Sequence, residues 1–176
     1  MIIAITGTPG TGKSTIAKQL AQTMQFNLID VNEVAKKTSS KKDGKEVVAN
    51  LPKLTQALKT QIKKAKNAII EGHLIVEMKL PLDILLILRC SPKKLEKRLQ
   101  KRKYSKRKIL DNLLCEAQNY TGVYAAANYP NITILEINTT KFPTLAKFTA
   151  TLAQGGDSVD FSKDLLQLAK RDATTK

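Results

Sequence analysis

The sequence has no tryptophan, a single histidine, two cysteines and only 5% aromatic residues. The two cysteines, Cys90 and Cys115, have neither the number nor the spacing of a disulfide framework or a zinc site. The apolar runs are short, as at residues 84–88, and none approaches the roughly 20 residues of a transmembrane helix. Because no basic stretch or long apolar segment begins the chain, no signal peptide is expected. These features predict a soluble, cytoplasmic protein with no membrane partner.

Acidic residues are also scarce. The 176 residues include 30 Lys and Arg but only 15 Asp and Glu, so the formal net charge is +15. Hydrophobic residues account for 42% and charged residues for 26%, which is typical of a globular protein and excludes a disordered chain or a coiled coil. The length favours one domain that buries about two-thirds of its unfolded surface.

The positive charge is concentrated in two basic clusters. Residues 89–108 contain eleven basic residues and one acidic residue, Glu96, and a second cluster spans residues 36–45. A positive surface attracts polyanions and accelerates their encounter with the protein. One interpretation is contact with RNA or a ribonucleoprotein. The alternatives are solvated lysine-rich helix faces, or an adaptation to heat or salt.

Short apolar runs alternate with amphipathic segments, which predicts an α/β fold with a five-stranded parallel sheet and helices on both faces. Strands are predicted at residues 2–5, 26–29, 68–70, 83–88 and 132–137. Helices are predicted at residues 13–24, 31–37, from 51 to about 65, from 92 onward, from 105 to about 127, at 144–152 and at 161–171. The polar residues 38–45 are predicted to form an exposed loop.

Residues 7–14, Gly-Thr-Pro-Gly-Thr-Gly-Lys-Ser, match the pattern G-x-x-x-x-G-K-[ST] at every position, between a strand and a helix. Glycines let such a loop direct its N–H groups at phosphates, and the helix N-terminus adds a positive dipole. We therefore predict that the chain binds ATP, with Lys13 at the β- and γ-phosphates, Ser14 on Mg²⁺ and Thr15 at the α-phosphate. The alternative is a glycine-rich turn that happens to precede a helix.

The phosphate loop alone does not specify the reaction. A GTPase would need an N-K-x-D base-recognition motif, which the sequence lacks, and motor ATPases are usually much longer. The length and the alternation of strands and helices favour a small nucleotide kinase.

Further candidate residues follow the strands, where an open parallel sheet places its ligands. Glu71 could hold Mg²⁺ or its water, or orient a nucleophile, and the alternative is a solvent-exposed acid. His73 could position water or an acceptor, or be an ordinary loop histidine. Asp30 is equally well explained as a helix cap or as a substrate contact.

Three arginines, Arg98, Arg102 and Arg107, flank residues 103–105 between two predicted helices. Such a helix–turn–helix element could close over the triphosphate as a lid, where arginine stabilises the charge of a transferring phosphoryl group. Arg102 is the main candidate. The neighbouring lysines are interpreted as a solvated helix face.

Several motifs occur together and in order: residues 7–14, Glu71-Gly72-His73, residues 86–89, Arg98-Leu99, residues 101–105, Lys108-Ile109 and residues 112–116. Over about residues 1–150 the chain resembles the atypical adenylate kinases shared by archaea and eukaryotes, the group that includes the coilin-interacting nuclear ATPase. The resemblance implies a P-loop NTPase fold, the reaction ATP + AMP ⇌ 2 ADP and some ATPase activity. It also implies a role in maturing the small ribosomal subunit, with a ribosomal protein as partner.

The resemblance also implies roles for individual residues. ATP contacts fall on Gly10, Gly12, Lys13, Ser14 and Thr15, on the lid arginine Arg102 and on a base-side lysine, Lys141. The implied catalytic residues are Lys13, Glu71, His73 and Arg102. The kinase domain would span residues 1–154, with a monophosphate-binding segment at about 30–50 and a lid at about 101–111. Residues 155–176 form a helical tail without a match. The family usually has glycine where Lys103 stands and often aspartate where Glu71 stands.

Two other hypotheses remain open. In the first, ATP binding and slow hydrolysis switch a ribosome-assembly factor that has no significant kinase role. In the second, the protein is a kinase for another small acceptor, such as a nucleoside or a coenzyme precursor.

Overall fold

The computed structural model describes residues 1–38, 42–43, 46–47 and 49–173. The main strands are β1 (Ile2–Thr6), β2 (Asn27–Asp30), β5 (Ala68–Glu71), β6 (Ile84–Arg89) and β7 (Thr133–Asn138), and a short antiparallel pair is formed by β3 (Lys42–Asp43) and β4 (Glu46–Val47). The main strands are all parallel and adjoin in the order β2-β5-β1-β6-β7. The predicted five-stranded parallel sheet is therefore confirmed.

The helices lie between the strands and after the last one. They are α1 (Lys13–Met24), α2 (Val31–Thr38), α3 (Leu51–Lys64), α4 (Pro92–Lys101), α5 (Lys106–Ala117), α6 (Tyr120–Asn128), α7 (Leu145–Ala153) and α8 (Leu165–Ala173). Two 3₁₀ turns occur at Leu74–Glu77 and Ser162–Asp164. No helix within the described ranges combines the length and the apolar character that a membrane crossing requires.

The centre of the sheet is apolar because helices cover both of its faces. In β1, Ile3 pairs with Ile69 of β5 on one side and with Ile84 of β6 on the other. Side chains of α1 and α7 pack on one face, and side chains of α2, α3 and α6 pack on the other. This packing brings the carboxyl ends of β1, β2 and β5 together at one edge of the sheet.

The prediction of a single helix from 105 to about 127 is wrong. The structure divides this segment into α5 and α6, with Asn119 between them in the left-handed conformation at φ 52°. Asparagine adopts this conformation more readily than most residues. Its side-chain oxygen accepts hydrogen bonds from the N–H of Gly122 at 3.2 Å and from Nη1 of Arg89 at 2.7 Å. A side chain distant in sequence therefore stabilises the break, which helical periodicity cannot show.

The predicted loop at 38–45 is also corrected. Thr38 is the last residue of α2, and residues 42–43 pair with residues 46–47 as an antiparallel ladder. Residues 39–41, 44–45 and 48 lie outside the described residues. Of the basic cluster at 36–45, the structure therefore describes only the side chains of Lys36 and Lys37.

The segment after Gly155 packs against the rest of the protein. Leu168 of α8 is buried in the same apolar cluster as Leu110 and Leu113 of α5. Ion pairs join Asp172 to Arg107 at 2.6 Å and Arg171 to Glu96 at 2.7 Å. Because these pairs are partly exposed, we attribute the docking of α8 mainly to its apolar face.

The turn between α4 and α5 is a helix C-cap. Lys103 has φ 57°, its N–H donates to the carbonyl of Gln100 at 2.9 Å, and the N–H of Tyr104 donates to the carbonyl of Leu99 at 3.3 Å. These two bonds define a Schellman motif, whose left-handed residue is usually glycine. The backbone conformation at Lys103 therefore favours glycine at this position.

We expect Lys103→Gly to stabilise the protein by about 0.5–1 kcal/mol, since the steric cost it relieves exceeds the chain entropy that glycine adds. Urea denaturation followed by circular dichroism measures the change. The matched control is Gln100→Gly, an exposed position inside α4, where glycine costs up to about 1 kcal/mol. A loss of stability in Lys103→Gly equal to that in the control would contradict this reading of the turn.

Candidate active site

A cavity of about 640 Å³ lies at the carboxyl ends of β1 and β5. The phosphate loop and the residues after β5 form its floor. The lid turn after α4 and the start of α5 form one wall, and α2 with the start of α3 forms the other. The predicted site residues that line it are Gly10, Gly12, Lys13, Ser14, Thr15, Glu71, His73 and Arg102. The fold therefore brings these residues, dispersed over ninety positions of the sequence, to one cavity.

The phosphate loop has the conformation that its glycines permit. Gly7 and Gly12 have φ 134° and 103°. A Cβ at Gly7 would collide with the carbonyl oxygen of Leu88, and one at Gly12 would collide with the ring of Phe142. Both positions therefore require glycine for conformation and for space.

The loop is also held from outside. Thr139 Oγ1 donates to the carbonyl of Thr11 at 2.8 Å, and the guanidinium of Arg98 donates to the carbonyls of Gly10 at 3.3 Å and Thr139 at 2.7 Å. Arg98 thus joins the phosphate loop to the segment that follows β7. Its role is structural, and it does not line the cavity in the described part of the chain.

Lys13 is buried at the first position of α1, with 8% of its surface exposed. Its Nζ donates to the carbonyls of Gly7 at 2.8 Å and Thr8 at 3.1 Å. Burial lowers the pKa of Lys13 to about 8, an effect that Arg102 reinforces and that Glu71 and Glu116 oppose. The ammonium is therefore cationic at neutral pH but incompletely solvated, which strengthens its attraction for phosphate.

Ser14 and Glu71 provide adjacent oxygens beside the phosphate loop. Ser14 Oγ donates to Oε1 of Glu71 at 2.8 Å, and Glu71 ends β5 opposite Ile5 of β1 and Asp30 of β2. Glu71 is buried, with 3% exposure, so the alternative of a solvent-exposed acid is wrong. Mg²⁺ is usually held by one or two protein oxygens, with phosphate oxygens and water completing its shell. This donor pair fits such an ion.

Among the described residues, His, Cys, Asp and Glu side chains do not converge in groups of three or more as a protein-only metal site would require. A metal at Ser14 and Glu71 would therefore depend on a bound nucleotide for further oxygen ligands.

His73 follows β5, and its side chain lines the cavity and is not buried in the core. The cavity walls reduce the solvation of its ring, and this burial, with the positive charges of Lys13 and Lys108, lowers the pKa of His73 to about 4. At neutral pH the imidazole is uncharged. It can then accept one hydrogen bond and donate another, but it adds no positive charge to the site.

The lid turn contributes Arg102 and Tyr104 to the cavity wall, and the start of α5 contributes Lys108. Arg102 is exposed and directly follows α4. Lys108 Nζ lies 4.9 Å from the centroid of the Tyr104 ring. Arg107 instead pairs with Asp111 at 2.9 Å and with Asp172. Of Arg98, Arg102 and Arg107, only Arg102 lines the cavity in the part of the chain that the structure describes.

Two of the other candidates lie away from the cavity. Lys141 is exposed and does not line it in the part of the chain that the structure describes, although its neighbour Phe142 contacts Gly12. Asp30 Oδ1 accepts hydrogen bonds from the N–H groups of Asn32 at 2.8 Å and Glu33 at 3.4 Å. Asp30 is therefore a cap of α2, one of its two predicted roles.

The sequence reasoning predicted a monophosphate-binding segment at about residues 30–50 but did not name the individual residues of this part of the cavity. Asn32 and Lys36 on α2, Leu51 at the start of α3 and Glu77 in the 3₁₀ turn all line it. Burial raises the pKa of Glu77. The order of the elements could have indicated most of them. Asn32 and Lys36 follow β2, and Glu77 follows β5, and ligands of parallel sheets bind at the carboxyl ends of the strands.

The pKa of Lys13 predicts how affinity for Mg-ATP depends on pH. Below pH 8 the free protein already carries the ammonium, and affinity should be nearly constant. Above pH 8 the free lysine is neutral, whereas bound phosphates favour the charged form, so binding must take up a proton and affinity falls up to about tenfold per pH unit. Calorimetry in buffers of different ionisation enthalpy at pH 7–9.5 measures the proton uptake. The pH-dependence should disappear in Lys13→Ala; an affinity that stays flat up to pH 9.5 in the wild type would refute the argument.

Comparisons with known proteins agree with this geometry. A family model described as an AAA domain matches residues 3–119. A Pyrococcus furiosus protein named "Putative adenylate kinase" is 35% identical over 141 residues, which cover 80% of this chain and 76% of that protein. A protein of the same name from Methanocaldococcus jannaschii is 38% identical over 120 residues, covering 66% of this chain and 67% of that protein.

Solved structures resemble this fold at low sequence identity. TT1252 from Thermus thermophilus has a TM-score of 0.60 at 15% identity, with 88% of this chain and 97% of that chain covered. The deoxyadenosine kinase from M. mycoides has a TM-score of 0.55 at 19% identity, covering 88% and 98%. A shikimate kinase from Acinetobacter baumannii has a TM-score of 0.57 at 16% identity, covering 87% and 92%.

The five-stranded parallel sheet and the phosphate loop after β1 define a P-loop NTPase fold, which the solved structures share. The chain belongs to the AAA-domain family described by the matching model and to the family of archaeal proteins named "Putative adenylate kinase". The predicted resemblance to archaeal adenylate kinases is thereby confirmed.

Proposed function

We propose that the protein is an adenylate kinase that transfers the γ-phosphoryl group of ATP to AMP, forming two ADP. The observation that carries this proposal is the lining of the cavity. The phosphate loop, Glu71 and His73 line it together with residues of α2 and the start of α3. We assign the side formed by the phosphate loop to a triphosphate and the side formed by α2 and α3 to an acceptor nucleotide. The names of the archaeal relatives support the same reaction.

At the triphosphate end, the N–H groups of the loop at Gly10 and Gly12 and those of Ser14 and Thr15 face the phosphates. Lys13 neutralises charge on the β- and γ-phosphates, and Ser14 with Glu71 would hold Mg²⁺. When bound, Mg²⁺ neutralises further charge on these two phosphates. Lys141 follows β7 and is placed by this proposal near the base.

In the transfer step, an oxygen of the acceptor phosphate forms a bond to the γ-phosphorus of ATP. The bond from that phosphorus to the β–γ bridging oxygen breaks, and the electron pair leaves with ADP. Arg102 stabilises the charge on the three transferring oxygens when the lid turn closes and excludes water. His73, which is neutral, positions the acceptor or a water molecule by hydrogen bonding.

At the acceptor end, Lys36 is the basic residue that α2 contributes to the cavity. Its Nζ pairs with Oε1 of Glu33 at 2.6 Å, and both side chains are more than half exposed. An exposed pair of this kind is worth little, so Lys36 is able to exchange it for the phosphate of AMP. We propose residues 30–50 as the monophosphate-binding segment, residues 101–111 as the lid, and residues 1–154 as the kinase domain that they complete.

Product analysis tests the proposal. Purified protein is incubated with Mg-ATP alone and with Mg-ATP plus AMP, GMP, CMP or UMP, and nucleotides are quantified by chromatography. We expect two ADP for each ATP consumed with AMP. Rapid transfer to another acceptor, including a nucleoside or a coenzyme precursor, would establish the alternative kinase. A lack of transfer to every acceptor would refute the proposal.

We further propose a slow ATPase activity, because an exposed cavity admits water to the position of the acceptor phosphate. Phosphate release from ATP without AMP measures this activity. We expect AMP to suppress phosphate release while it accelerates ADP formation, since acceptor and water compete for one position. Both ATP and AMP are abundant in the cytoplasm, where we propose that the protein acts.

The outward face of α4 favours a second function, in assembly of the small ribosomal subunit. Lys93, Lys94, Lys97 and Lys101 are exposed on this face, whereas Leu95 and Leu99 are buried. A row of exposed cations suits the phosphates of RNA. We propose that this face contacts rRNA, with a small-subunit ribosomal protein as a further partner.

Binding to rRNA measured against salt tests this second function. The logarithm of affinity should fall linearly with the logarithm of salt concentration. The charge reversal Lys93→Glu/Lys97→Glu should weaken binding and flatten this slope. The matched control Lys59→Glu/Lys63→Glu, on exposed positions of α3, makes the same change in charge. Equal losses of rRNA affinity in the two variants would show a general effect of net charge and would refute a specific contact through α4. An assembly factor without kinase function would bind RNA and hydrolyse ATP but would not form ADP from AMP.

A further inference from the structure

The helix α5 follows the lid turn, and we call it the lid helix. A buried carboxylate of this helix, Glu116, connects it to the phosphate loop. Thr8 Oγ1, in the phosphate loop, donates a hydrogen bond to Oε2 of Glu116. Oε1 accepts from the backbone N–H of Cys90 at 3.0 Å and from Nε of Arg89 at 2.8 Å. Glu116 is 2% exposed and Thr8 is 5% exposed. One carboxylate therefore links the phosphate loop to Arg89, the last residue of β6, and to Cys90, which follows it.

The charge of Glu116 is compensated without Thr8. Arg89 is 1% exposed, and its Nη2 donates to the carbonyl of Glu116 at 2.9 Å. Its Nη1 donates to Oδ1 of Asn119 at 2.7 Å and lies 3.1 Å from Oε1 of Glu136. Buried charges need such partners to remain in the protein interior. The bond from Thr8 is therefore an additional link to the phosphate loop rather than a requirement for burying the ion pair.

Thr8 in turn determines where Lys13 points. The carbonyl of Thr8 accepts from Nζ of Lys13 at 3.1 Å, and it also accepts from the N–H and the Oγ1 of Thr11 at 3.3 and 2.9 Å. Anchoring the Thr8 side chain fixes the orientation of this carbonyl. Through Thr8, Glu116 therefore helps to position Lys13, which the proposed function places at the reacting phosphates.

The other end of the connection is the lid. The helix α5 that carries Glu116 begins at Lys106, four residues after Arg102, and its Lys108 lines the cavity. A shift of α5 during closure of the lid would be transmitted to the phosphate loop through the Glu116–Thr8 bond. Rigid helices and buried polar networks are the kinds of element that carry such coupling.

We propose that Glu116 is a positioning residue that, through Thr8, holds the phosphate loop in register with the lid helix for phosphoryl transfer. The kinetic part of this proposal rests on the proposed kinase function. Thr8→Val tests it best, because valine retains the shape and β-branching of threonine and lacks the hydroxyl donor. Thr8→Ser retains the donor.

We expect Thr8→Val to lower kcat by about tenfold or more, since small misplacements of catalytic groups are costly, while KM for Mg-ATP changes by less than about threefold. Thr8→Ser should recover most of the lost kcat. In a Glu116→Gln background, Thr8→Val should have little further effect, because its partner has already been altered. If Glu116→Gln does not fold, the two Thr8 variants still decide the question.

Amide hydrogen exchange provides a readout that does not depend on activity. In Thr8→Val, exchange should accelerate both at residues 10–14 and at the end of α5, while the core strands remain protected. Wild-type kcat in Thr8→Val, equal losses in Thr8→Val and Thr8→Ser, or unchanged exchange in either segment would overturn the proposal. If the wild-type protein forms no ADP from ATP and AMP, the proposed kinase function fails, and the exchange result alone then decides the coupling.

Discussion

Lys13→Ala should lower the rate of ADP formation from ATP and AMP by about a thousandfold, the upper end of the loss for one preorganised donor. The expected loss is this large because Lys13 supplies a full positive charge from a buried position, held by the carbonyls of Gly7 and Thr8. The folded structure should survive, since the substitution also removes a poorly solvated cation. Coupled assays measure kcat, and thermal melting reports folding.

The matched control for this prediction is Lys18→Ala. Lys18 is an exposed lysine on the same helix, α1. It should retain wild-type kcat and KM. If Lys13→Ala keeps more than about a tenth of the wild-type kcat, Lys13 does not stabilise the transferring charge as argued.

Arg102→Ala should lower kcat by about a thousandfold, in the range found when an arginine that stabilises phosphoryl transfer is supplied or withheld. Arg102 follows α4, lines the cavity and is exposed, and under the proposed function its guanidinium engages the transferring oxygens when the lid turn closes. We therefore expect a small change in the Kd for Mg-ATP and a large change in kcat. Calorimetry and single-turnover kinetics separate the two quantities.

Two further variants sharpen this prediction. Arg102→Lys retains the charge without the planar fork of donors and should be intermediate in kcat. Lys106→Ala removes one positive charge four residues away, at an exposed position outside the cavity lining, and should behave as wild type. A loss in Lys106→Ala as large as that in Arg102→Ala would mean that net charge near the lid, and not Arg102, governs the rate.

The sequence predicted the parts of the site that depend on local order. Gly7, Gly12, Lys13 and Ser14 lie within eight residues, so one strand, one turn and one helix are sufficient to place them. The alternation of short apolar runs with amphipathic segments likewise predicted the parallel sheet. It therefore also predicted the edge of the sheet at which Glu71 and His73 lie. These inferences required no knowledge of how distant elements pack.

The lid region shows where sequence reasoning reached its limit. Arg98, Arg102 and Arg107 are similar in sequence context, but Arg98 binds loop carbonyls, Arg107 pairs with Asp172, and Arg102 lines the cavity. Their roles differ because each depends on which distant backbone or side chain packs beside it. The break at Asn119 was missed for the same reason, since its bond to Arg89 joins residues 30 positions apart.

By itself, the amino-acid sequence determined the phosphate loop, the five main strands of the parallel sheet, and the family to which the chain is similar. These follow from backbone freedom at glycine and from hydrophobic periodicity, both of which act over a few residues. Only the tertiary structure decided which arginine faces the cavity, which residues form its acceptor end, and that Glu116 binds Thr8, 108 residues away. Such contacts are selected by burial, because a polar group removed from water must find a partner wherever the fold provides one.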